Sequence, residues 1–500
     1  MPHYLSDDEL KRVTGAETLP FKGPIPTQMI SNGEFNPLPQ TREQAHVEFK
    51  IKEMADKLGR SHGMNRRQFL GSSAGMAAAF IAMNEVFGRV FEVSRAEAAE
   101  PGMADVRAAA MSGQFILDDQ THFVRDDYEQ SGIMGLSQFA KKHWNPALVG
   151  ENNLGRVKFE NYLKEIYLDS DTKIALLSGA PFDDPTWELL SNDQIAAARG
   201  LINGFSGQRR LLAHSVFTPK RRGWIEEVER CISQIKPDSW KGYTIGDPLF
   251  PSKFATEWRL DDERLMYPMY ERIVKAGINT VCIHKGLLPV DYEKSWPGIW
   301  QYNTVWDVGK AAKDWPQINF VIYHAALRTF LEPPDVAYAE FQKTGRMLWA
   351  TDLAEIPAKY GVTNVYGELG TSFASSVGMN PNYAAAFLGT LARGMGADHV
   401  VWGSDSLWYG SPQWQIEALR RLEIPGDMQK QHTFKPLGAA DGPVKNGIFG
   451  LNSAKLYKVD PKTAQDPLSK DQIAAMKAEY IGAGGLRSNT RYGYVHKATA

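Results

Sequence analysis

In QFILDDQTHFV, residues 114–124, an apolar run breaks into side chains of the kinds that bind metals. Alternate side chains of an extended strand share a face, so Gln120 and His122 project the same way at the end of Phe115-Ile116-Leu117. Three more polar residues close apolar runs farther along: His284 ends TVCIH, His324 ends NFVIYH and Asp405 follows HVVWGS. Neutral imidazole and carboxylate suit zinc or manganese, and a catalytic centre keeps one coordination position open for water or substrate. A single histidine on an apolar run is ordinarily a hydrogen-bonded core residue. Here three of 11 histidines, His122, His284 and His324, close strand-like runs at the same end, and that joint placement points to chemistry. His399 begins its run and His214 lies inside one, so neither receives a role.

Such residues need a scaffold that brings strand ends together. From residue 111 onward short β-rich runs alternate with helical patterns, the mark of a parallel sheet covered by helices. Strands are predicted at 114–119, 173–179, 210–217, 240–246, 279–284, 318–324, 364–369 and 399–404. Helices are predicted at 156–167, 191–205, 223–235, 261–276, 305–314, 335–343 and 382–394, with 413–422 and 446–457 after the last strand. Eight strand-helix units without a Gly-x-Gly-x-x-Gly fingerprint predict an α/β fold of the TIM type, a closed (β/α)8 barrel with its chemistry at the C-terminal ends of the strands. Glu368 closes the seventh run and is a further site candidate. Lys285 and Arg328 follow two of the histidines and favour an anionic substrate, the alternative being solvated loop charges. Trp296, Trp300, Trp408 and Tyr409 suit an apolar or ring-shaped one. Lys241 comes early in its strand, where a structural role is expected.

Over residues 114–457 the order of these motifs resembles the amidohydrolase-related family that includes aminocarboxymuconate-semialdehyde decarboxylase and related metal-dependent hydrolases. The matching stretches are Asp118-Asp119-Gln120-Thr121-His122, Cys282-Ile283-His284, Tyr323-His324-Ala325-Ala326 and Gly403-Ser404-Asp405, with Asn446 to Tyr457 similar to the family's closing helix. The resemblance implies one divalent ion, zinc or else manganese, held by Gln120, His122, His284 and Asp405, with His324 and Asp405 as catalytic groups. Gln120 stands where the family has a histidine, and an amide oxygen is a weaker donor than imidazole. The activity implied first is hydrolysis of a small carbonyl substrate, a lactone, ester or amide, by a metal-activated water. A non-oxidative decarboxylase of the same fold is the alternative, and a binding protein that has lost catalysis is a third reading.

Composition bounds these expectations. The chain has 500 residues, 43% hydrophobic and 23% charged, as in an ordinary globular enzyme. Its 56 basic and 58 acidic side chains leave no basic footprint for nucleic acid, so the expected partner is a small molecule, with a homo-oligomer compatible. Two cysteines imply neither a disulfide framework nor a cysteine zinc site. The expected organisation is an N-terminal arm (1–64), a signal-like segment (65–98), the barrel (99–460) and a C-terminal tail (461–500). Within the arm, 41–60 reads as a charged amphipathic helix. Arg66-Arg67, followed by Gln68-Phe69-Leu70 and an Ala-rich run, resembles a twin-arginine export signal, with Ala96-Glu97-Ala98 as its cleavage site. The expected location is therefore periplasmic or extracellular, with membrane contact only during export. The alternative is a cytoplasmic protein whose arm stays attached as helix.

Overall fold

The computed structural model describes residues 23–30, 38–127, 148–149, 157–182, 188–247, 256–287, 292–295, 297–328, 334–485 and 495–496. Its centre is a single layer of eight parallel strands in sequence order: β1 Leu117–Thr121, β2 Ile174–Leu177, β3 Leu211–Val216, β4 Ser239–Tyr243, β5 Thr280–His284, β6 Asn319–Tyr323, β7 Val365–Glu368 and β8 Val400–Val401. The last strand returns to the first. Asp119 N–H donates to Trp402 O (2.9 Å), Asp405 N–H donates to Gln120 O (2.9 Å), and Thr121 bridges Ser406 in parallel, so the sheet closes into a barrel. Strands such as IALL and TVCIH are buried along their whole length, as expected of parallel strands covered by helices outside and packed against each other inside.

Leu117, Leu176, Leu212, Cys282, Val321, Tyr323 and Val401 share one apolar cluster with Ala454, Leu456 and Leu468, which pack at the N-terminal end of the barrel. Every predicted strand appears, within a few residues of its expected bounds. Several described helices are additional to those predicted, and two of them pack against His324–Ala326 at the end of β6. Ala350–Tyr360 contains Pro357, and Gly370–Met379 (GTSFASSVGM) is rich in Gly and Ser, which are poor helix formers. The second forms because tertiary packing overrides propensity: all ten of its residues are buried.

The arm packs as part of the body. Arg42–Ser61 is a helix with a capping box from Thr41 and Gln44, as the amphipathic pattern predicts. The signal-like run forms the helix Ser73–Phe87, whose residues Ala74 to Met83 are all buried in the main core. Arg66 is paired with Asp56 on the preceding helix. Beyond it, Glu92 N–H donates to Arg421 O and Glu423 N–H to Val90 O, both at 2.7 Å, and the Arg421 guanidinium pairs with Glu97. The C-terminal residues also dock, through a buried Arg210–Asp471 pair (2.6 Å) and Tyr480 Oη donating to Asp169 (2.5 Å). Leu148–Val149 pairs antiparallel with Val495–His496 as a small ribbon. Among the described residues no helix is long and apolar enough to cross a membrane.

Candidate active site

Barrel closure places the end of β1 against the chain that follows β8. The β1–β2 register slips between Asp118 and Thr121, an irregularity of the kind that re-aims side chains at a barrel rim. His122 N–H donates to Ser406 O (2.6 Å) and its Nδ1 donates to Ser178 O (3.1 Å). That bond fixes the ring, so Nε2 faces Asp405 Oδ1 at 3.1 Å, while Trp408 stacks on the imidazole at 5.3 Å. A lone pair and a carboxylate oxygen at that distance need a proton or a cation between them.

Asp405 is buried in a left-handed conformation (φ +57°). Its Oδ2 accepts the Thr371 hydroxyl, whose oxygen in turn accepts from Tyr409 Oη (2.8 Å). Burial alone would raise its pKa. The His122 hydrogen bond, the His324 and His122 rings and the Thr371 hydroxyl outweigh it and hold the carboxyl well below the usual range.

His324 opens three successive left-handed residues, with φ +61°, +43° for Ala325 and +53° for Ala326. Such backbone costs roughly 1–2 kcal/mol per residue and persists where surroundings over-determine it. Here Glu368 Oε2 accepts His324 N–H (3.0 Å) and the Ser372 hydroxyl donates to His324 O (2.7 Å). Thr371 N–H donates to His324 Nδ1 (3.2 Å), so Nδ1 is the lone-pair nitrogen and the ring proton belongs on Nε2. His284, at the end of β5, stacks on Tyr243 (4.6 Å) and meets His324 edge-on (4.8 Å).

Gln120 joins these groups. Its amide nitrogen position lies 3.3 Å from His122 Nε2 and 3.5 Å from His324 Nε2, and its Oε1 is buried without a hydrogen bond. Oε1 and Glu368 Oε1, a second buried acceptor without a donor, crowd one corner: both lie within 3.0 Å of where a Cβ on Gly370 would stand. As placed, the amide NH2 donates to the lone pair of His122 Nε2 but meets His324 Nε2–H as a second donor. Turned by half a turn, the amide would instead offer its oxygen to His324 Nε2–H and set it beside His122 Nε2. In that orientation the Gln120 oxygen, His122 Nε2 and Asp405 Oδ1 would be acceptors at one buried corner, a set that would fit a divalent cation. Among the described residues no three His, Cys, Asp or Glu side chains surround a point, so this fit depends on the Gln120 oxygen.

The remaining expected residues fall into different places. Lys285 is buried with its ammonium on Asp307 (2.9 Å) and Tyr302 O (2.8 Å), bracing the loop over β5 instead of facing the centre. Arg328 lies over the Trp349 ring (5.6 Å) beside Glu293 (3.5 Å), in the wall above β6. Glu368 sits under Gln120 and His324, fully buried, and burial pushes its carboxyl well up. Asp118 accepts from Ser404 N–H (2.9 Å) and Gln120 N–H (3.3 Å), tying β1 to β8; burial pushes its pKa up to about 7. Lys241 is buried with its ammonium 3.5 Å from the Tyr323 ring centre. His399 bonds Thr363 O at the opposite end of β8 (2.9 Å). Trp296 lies outside the described residues. Thr371 and Ser178, absent from the sequence reading, lack any pattern of their own; the one signal is Thr371's place three residues after the strand-closing Glu368.

Residues 226–459 match the family described as Amidohydrolase. No curated protein matches the chain. Among solved structures, similarity extends to an uncharacterised TIM-barrel protein from Bordetella bronchiseptica (13% identity, 69% of this chain and 98% of that one, TM-score 0.45). It extends also to 5-carboxyvanillate decarboxylase from Sphingomonas paucimobilis (13%, 69% and 100%, 0.40). A third is 5-carboxyvanillate decarboxylase from Novosphingobium aromaticivorans, complexed with manganese and 4-hydroxy-3-methoxy-5-nitrobenzoic acid (14%, 69% and 97%, 0.40). His284, His324 and Asp405 all lie inside the stretch that matches the Amidohydrolase family, and a closed eight-stranded barrel carries them.

Proposed function

We propose that the chain is a metal-dependent hydrolase of a small carbonyl substrate, a lactone, ester or amide. The observation that carries this reading is the convergence of His122, His324, Asp405 and Gln120 on one buried corner at the C-terminal end of the barrel. His122, Asp405 and the Gln120 oxygen, with His284 alongside, would hold a divalent ion there, which would supply Lewis acidity toward a carbonyl oxygen. We assign zinc first and manganese second. His324, with its proton on Nε2, donates to the oxygen on which negative charge develops. Asp405, whose Oδ1 faces His122 and whose Oδ2 accepts the Thr371 hydroxyl, would orient the attacking water, take its proton and pass it to the leaving group. Trp408, stacked on His122, keeps bulk water off that face.

A second reading, non-oxidative decarboxylation, draws support from the aromatic rings beside the site. Trp408 on His122 and Tyr243 on His284 suit a flat aromatic acid, and Arg328 over Trp349 suits its carboxylate. Purified full-length protein, stripped of metal and reloaded with zinc or manganese, separates the two readings. Turnover of phenyl acetate or δ-valerolactone, lost on chelation and in His324→Gln, is expected. Carbon dioxide released from 5-carboxyvanillate or 2,6-dihydroxybenzoate without ester or lactone turnover would transfer the assignment to the second reading.

A further inference from the structure

We propose that Thr371 is a positioning residue for both reacting groups: its backbone N–H sets the tautomer of His324, and its hydroxyl, held by Tyr409, fixes the rotamer of Asp405. The inference rests on the reading of His324 and Asp405 as the reacting groups. Thr371 lies in the first turn of the helix Gly370–Met379, where backbone N–H groups have no partner within the helix. One of them donates to His324 Nδ1 at 3.2 Å. That approach requires glycine beside it, because a Cβ on Gly370 (φ +36°) would stand 2.7 Å from the same nitrogen. An imidazole accepting at Nδ1 carries its proton on Nε2, the nitrogen turned toward Gln120 and the centre.

The hydroxyl acts on the second group. Thr371, Tyr409 and Asp405 are all buried, so the direction of the chain is set by proton count. The Tyr409 hydroxyl donates to Thr371 Oγ1 (2.8 Å), and Thr371 spends its one hydroxyl proton on Asp405 Oδ2. With Oδ2 so occupied, Oδ1 is the oxygen turned to His122 Nε2. Valine has nearly the shape of threonine and would keep the backbone bond to His324 while removing the bond to Asp405. Serine would restore it.

Two measurements on the full chain test this. In metal-stripped protein labelled with 15N-histidine, the imidazole signal missing from His324→Gln should show its proton on Nε2. A proton on Nδ1 overturns the tautomer assignment whatever the enzyme's activity. With zinc restored and phenyl acetate or δ-valerolactone as probe, Thr371→Val should lower kcat by ~30-fold or more with KM within ~3-fold, the mark of a contact that matters most in the transition state. Thr371→Ser should recover most of that loss, and Tyr409→Phe should fall between. Thr371→Ser as poor as Thr371→Val in a protein that melts like the wild type, or full activity in Thr371→Val, would refute the hydroxyl's role. If wild type turns over neither probe, the hydrolase reading fails by itself and the imidazole spectrum alone decides for or against Thr371.

Discussion

Gln120 is where this chain departs from the pattern of the family it resembles, and its surroundings show how an amide can stand there. An imidazole at this position offers one lone pair and one N–H. The amide has an NH2 that reaches His122 Nε2 and an oxygen that, turned by half a turn, would take that place, while Glu368 is buried close by with an unmet oxygen. Gly403 belongs to the same arrangement, since a Cβ there would collide with Glu368 Oε1. The sequence shows the substitution but not its surroundings, because Glu368 and Gly403 lie far from Gln120 along the chain. Gln120→His in metal-stripped protein should tighten zinc by ~10-fold to 100-fold, equivalent to ~1–3 kcal/mol, as ligand changes commonly do. Activity is expected to fall while occupancy rises, because the stronger donor makes the ion a weaker acid. Titration curves identical for the two proteins would remove Gln120 from the set of ligands.

The strands carried the legible part of the architecture. Each is a short apolar run whose polar residue, where one occurs at the C-terminal end, reaches the barrel mouth; hence His122, His284, His324 and Asp405 were readable and their neighbours Thr371 and Ser178 were not. A helix such as GTSFASSVGM has no apolar period to read, and only burial on every side makes it helical. The loop charges were misleading for a related reason. Lys285 follows a strand-end histidine as a substrate-binding lysine would, yet Asp307, 22 residues later, neutralises it inside the wall. Strand polarity makes the sharpest test at this scale. His284→Ala and Asp405→Asn should each lower bound zinc and turnover of the ester or lactone, whereas His399→Ala, which loses a bond to Thr363 O at the opposite rim, should leave both within ~2-fold and cost at most ~1 kcal/mol of stability. Equal loss in all three would mean that the chemistry does not sit at the C-terminal end of the strands.

At the scale of the whole molecule, the arm decides how export and folding can coexist. Arg66-Arg67 and the run after them have the order of an export signal, but in the folded chain that run is the buried helix Ser73–Phe87, and Ala98, at the expected cleavage site, is fully buried beside Glu97. Met76, Phe80, Ile81 and Met83 alone, at ~1.5–3 kcal/mol for each fully buried side chain, contribute ~6–12 kcal/mol. That is comparable to the ~5–15 kcal/mol net stability of a typical domain. Cutting after Ala98 would also strip Arg421 of Glu97 and leave a buried guanidinium with Glu417 as its remaining carboxylate. We therefore propose that the arm stays attached wherever the protein resides, and that export, if it occurs, carries the arm across with the folded barrel. A chain begun at Ala99 should accumulate as insoluble or molten protein, and mass spectrometry of the native protein should find residues 42–98 still joined to the barrel. A soluble, cooperatively melting chain begun at Ala99, or a native N-terminus at that residue, would show instead that the helix is a removable passenger and that the barrel is stable without it.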